Sequence, residues 1–224
     1  MPQFILASSS PRRRELLGTV GIPFTIHKPD IDESQRIGEK PLDYVRRLSR
    51  EKAAHIATRL TAPATVLAAD TVVILSADTI GIAERGDILG KPVDAADARH
   101  MLQRLRERPH QVCTAVTILT IAAGLDTSSA NPYTEVTCTD VTMRDYSDAE
   151  IDRYVATGDP FDKAGSYAIQ HPEFQPVAHI DGCYANVVGL PLCTLQNMLV
   201  EVKWPGVTAV PVCQCQEICA ELHF

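Results

Sequence analysis

The sequence predicts a mixed α/β fold, and three observations carry that expectation. Apolar runs of strand length alternate with amphipathic helical patterns along most of the chain, the rhythm of a sheet flanked by helices. Two long strand patterns, 112–121 and 133–142, follow one another across a Gly/Asp/Ser/Asn-rich loop at 124–132, so an antiparallel hairpin interrupts the sheet. With 224 residues and 45% hydrophobic content, but only 5 Phe, 6 Tyr and 1 Trp, the chain can build one substantial aliphatic core. The expected sheet is mixed, partly antiparallel and twisted, with helices flanking it.

The elements can be justified in order. Residues 4–7 form an apolar strand that runs into Ser8, Ser9, Ser10, Pro11, Arg12 and Arg13. Ser10 stands where a helix N-cap belongs and Pro11 where the first helical residue belongs. Free backbone N–H groups, hydroxyls and two guanidiniums therefore converge on one point, which suits a phosphate; a capped surface helix with solvated arginines is the plainer alternative. Further strand-like runs lie at 24–27, 65–75 and 185–188. Pro41 opens a helix whose Leu42, Val45, Leu48, Ala53 and Ile56 recur at three- and four-residue spacing, and Asp94 caps a second with Ala98, Met101, Leu102 and Leu105. Ser147 and Glu150 form a capping box before Ile151, Tyr154 and Val155, and Pro191 starts a last helix through Leu195 and Leu199. After Val202 the pattern becomes irregular, with Pro205, Gly206 and Pro211 breaking any helix.

Composition excludes several function classes. A net charge of −7 argues against coating a nucleic acid polymer, which requires a basic face. Neither a signal peptide nor a membrane-spanning run is found, so a cytoplasmic protein without membrane contact is expected. The seven cysteines, an odd number, fall mostly in apolar runs and read as reduced buried thiols rather than a disulfide framework. Cys213, Cys215 and Cys219 lack a fourth ligand for zinc. No nucleophile elbow surrounds Ser8 to Ser10, and neither a Walker A sequence nor a dinucleotide fingerprint occurs.

The remaining polar clusters lie beside strand and helix ends, where α/β folds bind ligands. Asp70 and Thr71 interrupt an apolar run at 66–75, and a carboxylate there must be paired, metal-bound or facing a cleft, or else bonded to backbone N–H groups at a strand end. Asp30, Asp32 and Glu33 offer hard oxygen donors for Mg²⁺ or Mn²⁺, though an acidic loop is commonly just solvated. Gly90-Lys91-Pro92 and Asp162-Lys163-Ala164-Gly165 put lysines on turns that a phosphate could approach closely. Lys52 lies near the apolar face of the helix opened by Pro41, where a snorkelling lysine reads as well as a functional one.

Taken in order, these segments resemble the Maf family of nucleotide pyrophosphatases from about residue 3 to 200. The matching blocks are Leu6 to Arg13, Asp32-Glu33, Glu51-Lys52-Ala53, Ala69-Asp70-Thr71-Val72-Val73, Gly90-Lys91-Pro92, His110-x-Val112-x-Thr114, Asp162 to Gln170 and Asn186 to Pro191. The resemblance implies one catalytic domain over 1–202 with two lobes around a deep cleft, as in inosine triphosphate pyrophosphatase-like folds, and a Cys-containing tail over 203–224. It also implies metal-dependent cleavage of a nucleoside triphosphate between its α and β phosphates. By position, Asp70 is the expected general base and, with Glu33, the expected metal ligand, with Lys52 a further catalytic residue. Ser8, Ser10, Arg12, Arg13, Lys91 and Lys163 are expected around the substrate.

The block ending in Gln170 resembles the branch of the family that acts on dTTP and UTP, with Arg12, Thr71 and Gln170 at its specificity positions. A primary amide offers a donor and an acceptor side by side, matching N3–H and a neighbouring carbonyl of uracil or thymine. Family precedent adds a homodimer, nucleotide-pool housekeeping and an association with septum formation. A pyrophosphatase for modified purine triphosphates and a non-catalytic nucleotide-binding regulator are the rival readings. Two departures from the family stand out: His171-Pro172 follows Gln170 where glycine is usual, and 76–89 reads as a lengthened loop before Gly90.

Overall fold

A computed structural model describes residues 3–60, 71–122 and 132–208 of the chain. The elements run β1 (Gln3–Leu6), α1 (Pro11–Thr19), β2 (Thr25–Ile26), α2 (Pro41–Leu60), β3 (Thr71–Ala83), β4 (Ile88–Leu89), α3 (Ala95–Leu105), β5 (Pro109–Ala122), β6 (Tyr133–Met143), α4 (Asp148–Ala156), β7 (Val177–Asp181), α5 (Tyr184–Val188) and α6 (Leu192–Glu201). Among the described residues, one sheet of seven strands is ordered β2-β1-β3-β5-β6-β7, with β4 paired to β3 off that path. The β2, β1 and β3 pairings are parallel, and those from β3 through β5 and β6 to β7 are antiparallel. This is the mixed α/β architecture that the sequence predicts.

The position of β1 explains why the run 4–7 is apolar at every position. Successive side chains leave opposite faces of a strand, so Phe4 and Leu6 pack with α1 and α6 while Ile5 and Ala7 pack with α2. A strand covered on both faces has no polar side to present. The helix starts also follow their sequence signals. Ser10 accepts from the Arg13 backbone N–H at 3.4 Å, Asp94 from Asp97 at 2.8 Å, and Ser147 from Glu150 at 3.3 Å. The Glu150 carboxylate returns the bond to the Ser147 N–H at 2.8 Å and closes the capping box.

Three expectations are corrected. Residues 76–89 are not a lengthened loop: β3 continues to Ala83 and turns back through β4. The apolar pattern breaks there because Ser76 and Thr79 spend their hydroxyls on specific partners, Ser76 Oγ donating to the Ser49 carbonyl at 2.6 Å. The 185–188 run is helical, not a strand, since four apolar residues cannot distinguish the two periods. The Asn186 amide there donates to the Val112 carbonyl at 2.8 Å and to Thr139 Oγ1 at 2.9 Å, which fixes the turn against the sheet. Cys113 and Cys138 are joined in a disulfide because the β5–β6 register sets them directly opposite, a pairing that composition alone cannot give. Cys183 is a buried free thiol, as expected, and Cys193 is buried as well.

Two strands carried no usable signal: β4 is two residues long, and β7 is mostly exposed. No helix among the described residues is long and apolar enough to cross a membrane. Cys213, Cys215 and Cys219 lie outside the described residues, as does Asp70.

Candidate active site

A cavity of about 540 Å³ opens where the end of β1 and the start of α1 meet the middle of β3, the β4 turn and the segment 162–170. Ser8, Ser10, Arg12 and Arg13 all line it. Ser8 Oγ accepts from the Ser10 N–H at 3.2 Å, so the loop folds over its own hydroxyl before α1 begins. Arg12 lies 3.6 Å from an Asp162 oxygen. Arg13 is engaged by the protein: its Nε donates to the Gly189 carbonyl and an Nη to Thr79 Oγ1, both at 2.9 Å. Thr79 Oγ1 in turn lies 2.9 Å from Thr114 Oγ1, tying α1 to β3 and β5. Burial holds the Arg13 pKa below that of a free guanidinium, partly offset by the nearby charge of Asp78.

The floor is built from three segments distant in sequence. α2 turns Lys52 inward and Glu51 outward, where Glu51 pairs with Arg36 and Arg47. Lys52 is only 6% exposed, so its ammonium must be paired. Its Nζ lies 2.5 Å from Asp78 Oδ1 and 3.2 Å from Glu33 Oε1. Asp78, 8% exposed, stands in mid-β3, and the Tyr44 hydroxyl holds the Glu33 backbone by donating to its carbonyl at 2.7 Å. Of the acidic loop only Glu33 lines the cavity; Asp32 accepts from the Ser34 N–H at 2.9 Å, and that bond holds its carboxyl below the usual range.

The rim differs in character. Lys28 and Lys91 line the cavity from exposed positions and form no ion pair with any described residue. Lys163 also lines it but is buried and held, its Nζ donating to Asp159 Oδ1 at 2.8 Å and Asp162 Oδ1 at 2.6 Å. Beyond it Gln170 borders the cavity. His171 is locked into the following turn, its Nδ1 accepting from the Phe174 N–H at 3.0 Å and its ring lying edge-on to Tyr154.

The fold therefore brings Ser8, Ser10, Arg12, Arg13, Glu33, Lys52, Lys91, Lys163 and Gln170 to one cavity. Thr71 falls elsewhere: it is the first residue of β3, seven positions before Asp78 and roughly 23 Å from it along the strand. The carboxylate that meets Lys52 is Asp78, which sequence reasoning missed. Its signal was present, because Ala77-Asp78-Thr79 repeats Ala69-Asp70-Thr71 eight residues later. The excess length counted from Asp70 to Gly90 shrinks by the same eight residues when counted from Asp78. Tyr167 and His110, also on the cavity wall, lay inside noted motifs without an assigned role.

Glu33 and Asp78 supply two carboxylates to the floor, and no group of three His, Cys, Asp or Glu side chains converges among the described residues. That donor set fits a hard divalent cation that completes its shell with phosphate oxygens and water, the usual habit of Mg²⁺ beside a polyphosphate.

The chain is similar to known proteins over most of its length. The family model described as Maf-like protein matches residues 3–202. A dTTP/UTP pyrophosphatase of Anaeromyxobacter dehalogenans is 43% identical over 204 residues, covering 91% of this chain and 96% of the relative. The dTTP/UTP pyrophosphatase of Pseudoalteromonas atlantica is 45% identical over 195 residues, with 87% and 94% covered. That of Dictyoglomus turgidum is 41% identical over 198 residues, with 88% and 94% covered.

Proposed function

The chain belongs to the Maf family, and on that premise we propose that it is a pyrophosphatase hydrolysing dTTP and UTP to the monophosphate and pyrophosphate. The observation that carries this reading is the buried Asp78–Lys52 pair, joined by the more exposed Glu33, facing the hydroxyls and cations of the α1 start and the Lys91 turn.

Asp78 takes the catalytic role that the resemblance gave to Asp70. Its carboxylate accepts a proton from the water that attacks the α phosphorus, while the bond from that phosphorus to the α–β bridging oxygen breaks and its electron pair leaves with pyrophosphate. Lys52 offsets the cost of holding the Asp78 charge in a buried place and keeps the carboxylate aimed. Negative charge grows on the leaving group, where Lys91, Lys28, Arg12 and the N–H groups at the α1 start stabilise it. Arg13, already bonded to Gly189 and Thr79, fixes that start relative to β3. A divalent cation, Mg²⁺ or Mn²⁺, held by Glu33 and Asp78, would supply charge neutralisation and a more acidic water. Gln170 reads the base through its amide.

The proposed setting is the cytoplasm, the proposed role the removal of surplus or non-standard pyrimidine nucleotides, and family precedent adds a homodimer. Residues 1–202 would be the catalytic domain and 203–224 an appended tail. Incubating the full chain with UTP, dTTP, CTP, inosine and 7-methylguanosine triphosphates and Mg²⁺ or Mn²⁺, with product analysis, tests the reading. Monophosphate and pyrophosphate from UTP and dTTP are expected. Diphosphate with orthophosphate would overturn the mechanism, a preference for the modified purines would move the chain to the other branch, and binding without turnover would make it a regulator.

A further inference from the structure

We propose that His110 is a positioning residue for base selection: through the Tyr167 hydroxyl it anchors the segment that carries Gln170 to the central sheet. The inference rests on the pyrophosphatase reading of the cavity and extends it to a residue that binds no substrate itself.

The segment needs external tethers. Gly165 and Ser166 are both left-handed, with φ of 73° and 63°, and the second is a conformation that a residue with a Cβ resists. Backbone preference therefore works against this path, and contacts must hold it. The Gly165 N–H donates to the Gly90 carbonyl at 3.0 Å, which joins the segment to the turn bearing Lys91. Ser166 Oγ contacts Met101 sulfur at 3.1 Å, and the Ala168 N–H donates to the Tyr154 hydroxyl at 3.0 Å. Among the described residues, the remaining hydrogen bond is the one that reaches the central strands: His110 Nε2 lies 2.7 Å from the Tyr167 hydroxyl, the two rings meeting edge to face with centroids 5.4 Å apart.

His110 suits that task chemically. It is 3% exposed, and burial pushes its pKa down to about 4, so the ring stays neutral across the ordinary pH range and the bond does not titrate away. Its Nδ1 is buried without a partner among the described residues, which leaves the Tyr167 hydroxyl as the ring's one polar anchor. The position on the sheet is also informative. His110 and Thr114 are four residues apart on β5, hence on one face and about 13 Å apart. Thr114 bonds Thr79, the neighbour of Asp78. One strand thus sets the distance between the base-reading end and the phosphate end of the cavity.

The test uses the full chain with His110→Ala, His110→Gln, Tyr167→Phe and the double variant His110→Ala/Tyr167→Phe, each checked by thermal melting. Tyr167→Phe removes a single oxygen and carries the test should His110→Ala fail to fold. The readouts are kcat and KM for UTP and CTP, plus calorimetric binding of pyrophosphate and of UMP. Each of His110→Ala and Tyr167→Phe should narrow UTP-over-CTP selectivity by about tenfold, the loss appearing in KM for UTP and in UMP affinity while kcat stays within about threefold. The double variant should be no worse than either single one, because both remove the same bond, and His110→Gln should restore part of the selectivity. Pyrophosphate affinity should not move. Unchanged selectivity in wild-type-like melts, a parallel loss of pyrophosphate affinity, or additive effects in the double variant would overturn the positioning role while leaving the pyrophosphatase reading intact. A wild-type chain that turns over no pyrimidine triphosphate would remove both.

Discussion

Lys52 and Lys163 are equally hidden, 6% and 7% exposed, and each sits between two carboxylates, yet they differ in what those carboxylates connect. The partners of Lys52 come from the acidic loop and from β3, so one ammonium joins three segments that meet only in the folded chain. The partners of Lys163 are Asp159 and Asp162 from its own turn. A lysine between long-range carboxylates organises a site, whereas one between local carboxylates staples a turn. Both differ from Lys91, which faces the cavity from an exposed turn without an ion partner among the described residues.

The largest expected effect tests what Lys52 holds in place. Asp78→Asn keeps the shape of the side chain but cannot accept a proton, so kcat should fall on the order of 10²–10⁴ with the fold retained. Asp70→Asn measured beside it should stay near wild type. A reversed result, in steady-state pyrophosphate release, would return the catalytic role to Asp70 and make the Lys52 pairing structural.

Removing the ammonium comes next. Lys52→Met preserves the buried stem but leaves Asp78, 11% exposed at its side chain, without its counter-charge. Breaking a buried pair in this way costs roughly 3–5 kcal/mol. Chemical denaturation should show the loss as a lower midpoint at an unchanged slope, and turnover should fall with it. A double variant, Lys52→Met with Asp78→Asn, should recover stability but no activity, which separates the two roles of the pair.

How much of this could be read from the chain alone follows from the range of each signal. Caps were legible, because Ser10, Asp94 and the Ser147–Glu150 box act over three residues. The mixed sheet was legible from the 112–121 and 133–142 runs and the loop between them. Asp78 was not singled out, because two Ala-Asp-Thr triplets lie eight residues apart and only the register of β3 against α2 decides which carboxylate meets Lys52. The Cys113–Cys138 bond escaped for the same reason, since pairing follows register and composition does not record it. Lys163 and Lys91 looked alike on their turns, because the sequence does not show which ammonium is already occupied.

That distinction gives the third prediction. Lys91→Ala should leave the melting temperature unchanged, as expected for an exposed side chain away from packing or pairing features. KM for UTP and affinity for pyrophosphate should weaken by about tenfold, equivalent to about 1.4 kcal/mol. Salt should weaken the wild type more than the variant, because an exposed charge contact is screened. A large stability loss with intact KM would mean that Lys91 serves the turn and not the phosphate.

The smallest effect is expected at Lys163. Lys163→Met keeps the apolar stem and removes the ion pairs together with the hydrogen bond to the Asp159 carbonyl, and the Asp159 and Asp162 side chains are 32% and 66% exposed, so solvent already screens much of their charge. The cost should be about 1 kcal/mol or less, a shift of a few degrees in melting temperature for a chain of this size. Its pH dependence has a definite sign. Burial alone would raise the Asp159 pKa, but hydrogen bonds from Lys163 and the Tyr154 hydroxyl hold it below the ordinary value of 3.8. A carboxyl depressed on folding contributes stability above its unfolded pKa and loses it as the pH falls through the folded one. The gap between wild type and Lys163→Met should therefore be full at neutral pH and close as the pH drops below about 3.8. Turnover of UTP at neutral pH should change by less than it does in Lys91→Ala. A larger loss of pyrophosphate affinity in Lys163→Met than in Lys91→Ala would show that the ammonium leaves its two carboxylates for the substrate, and the division between stapling and phosphate-binding lysines would fail.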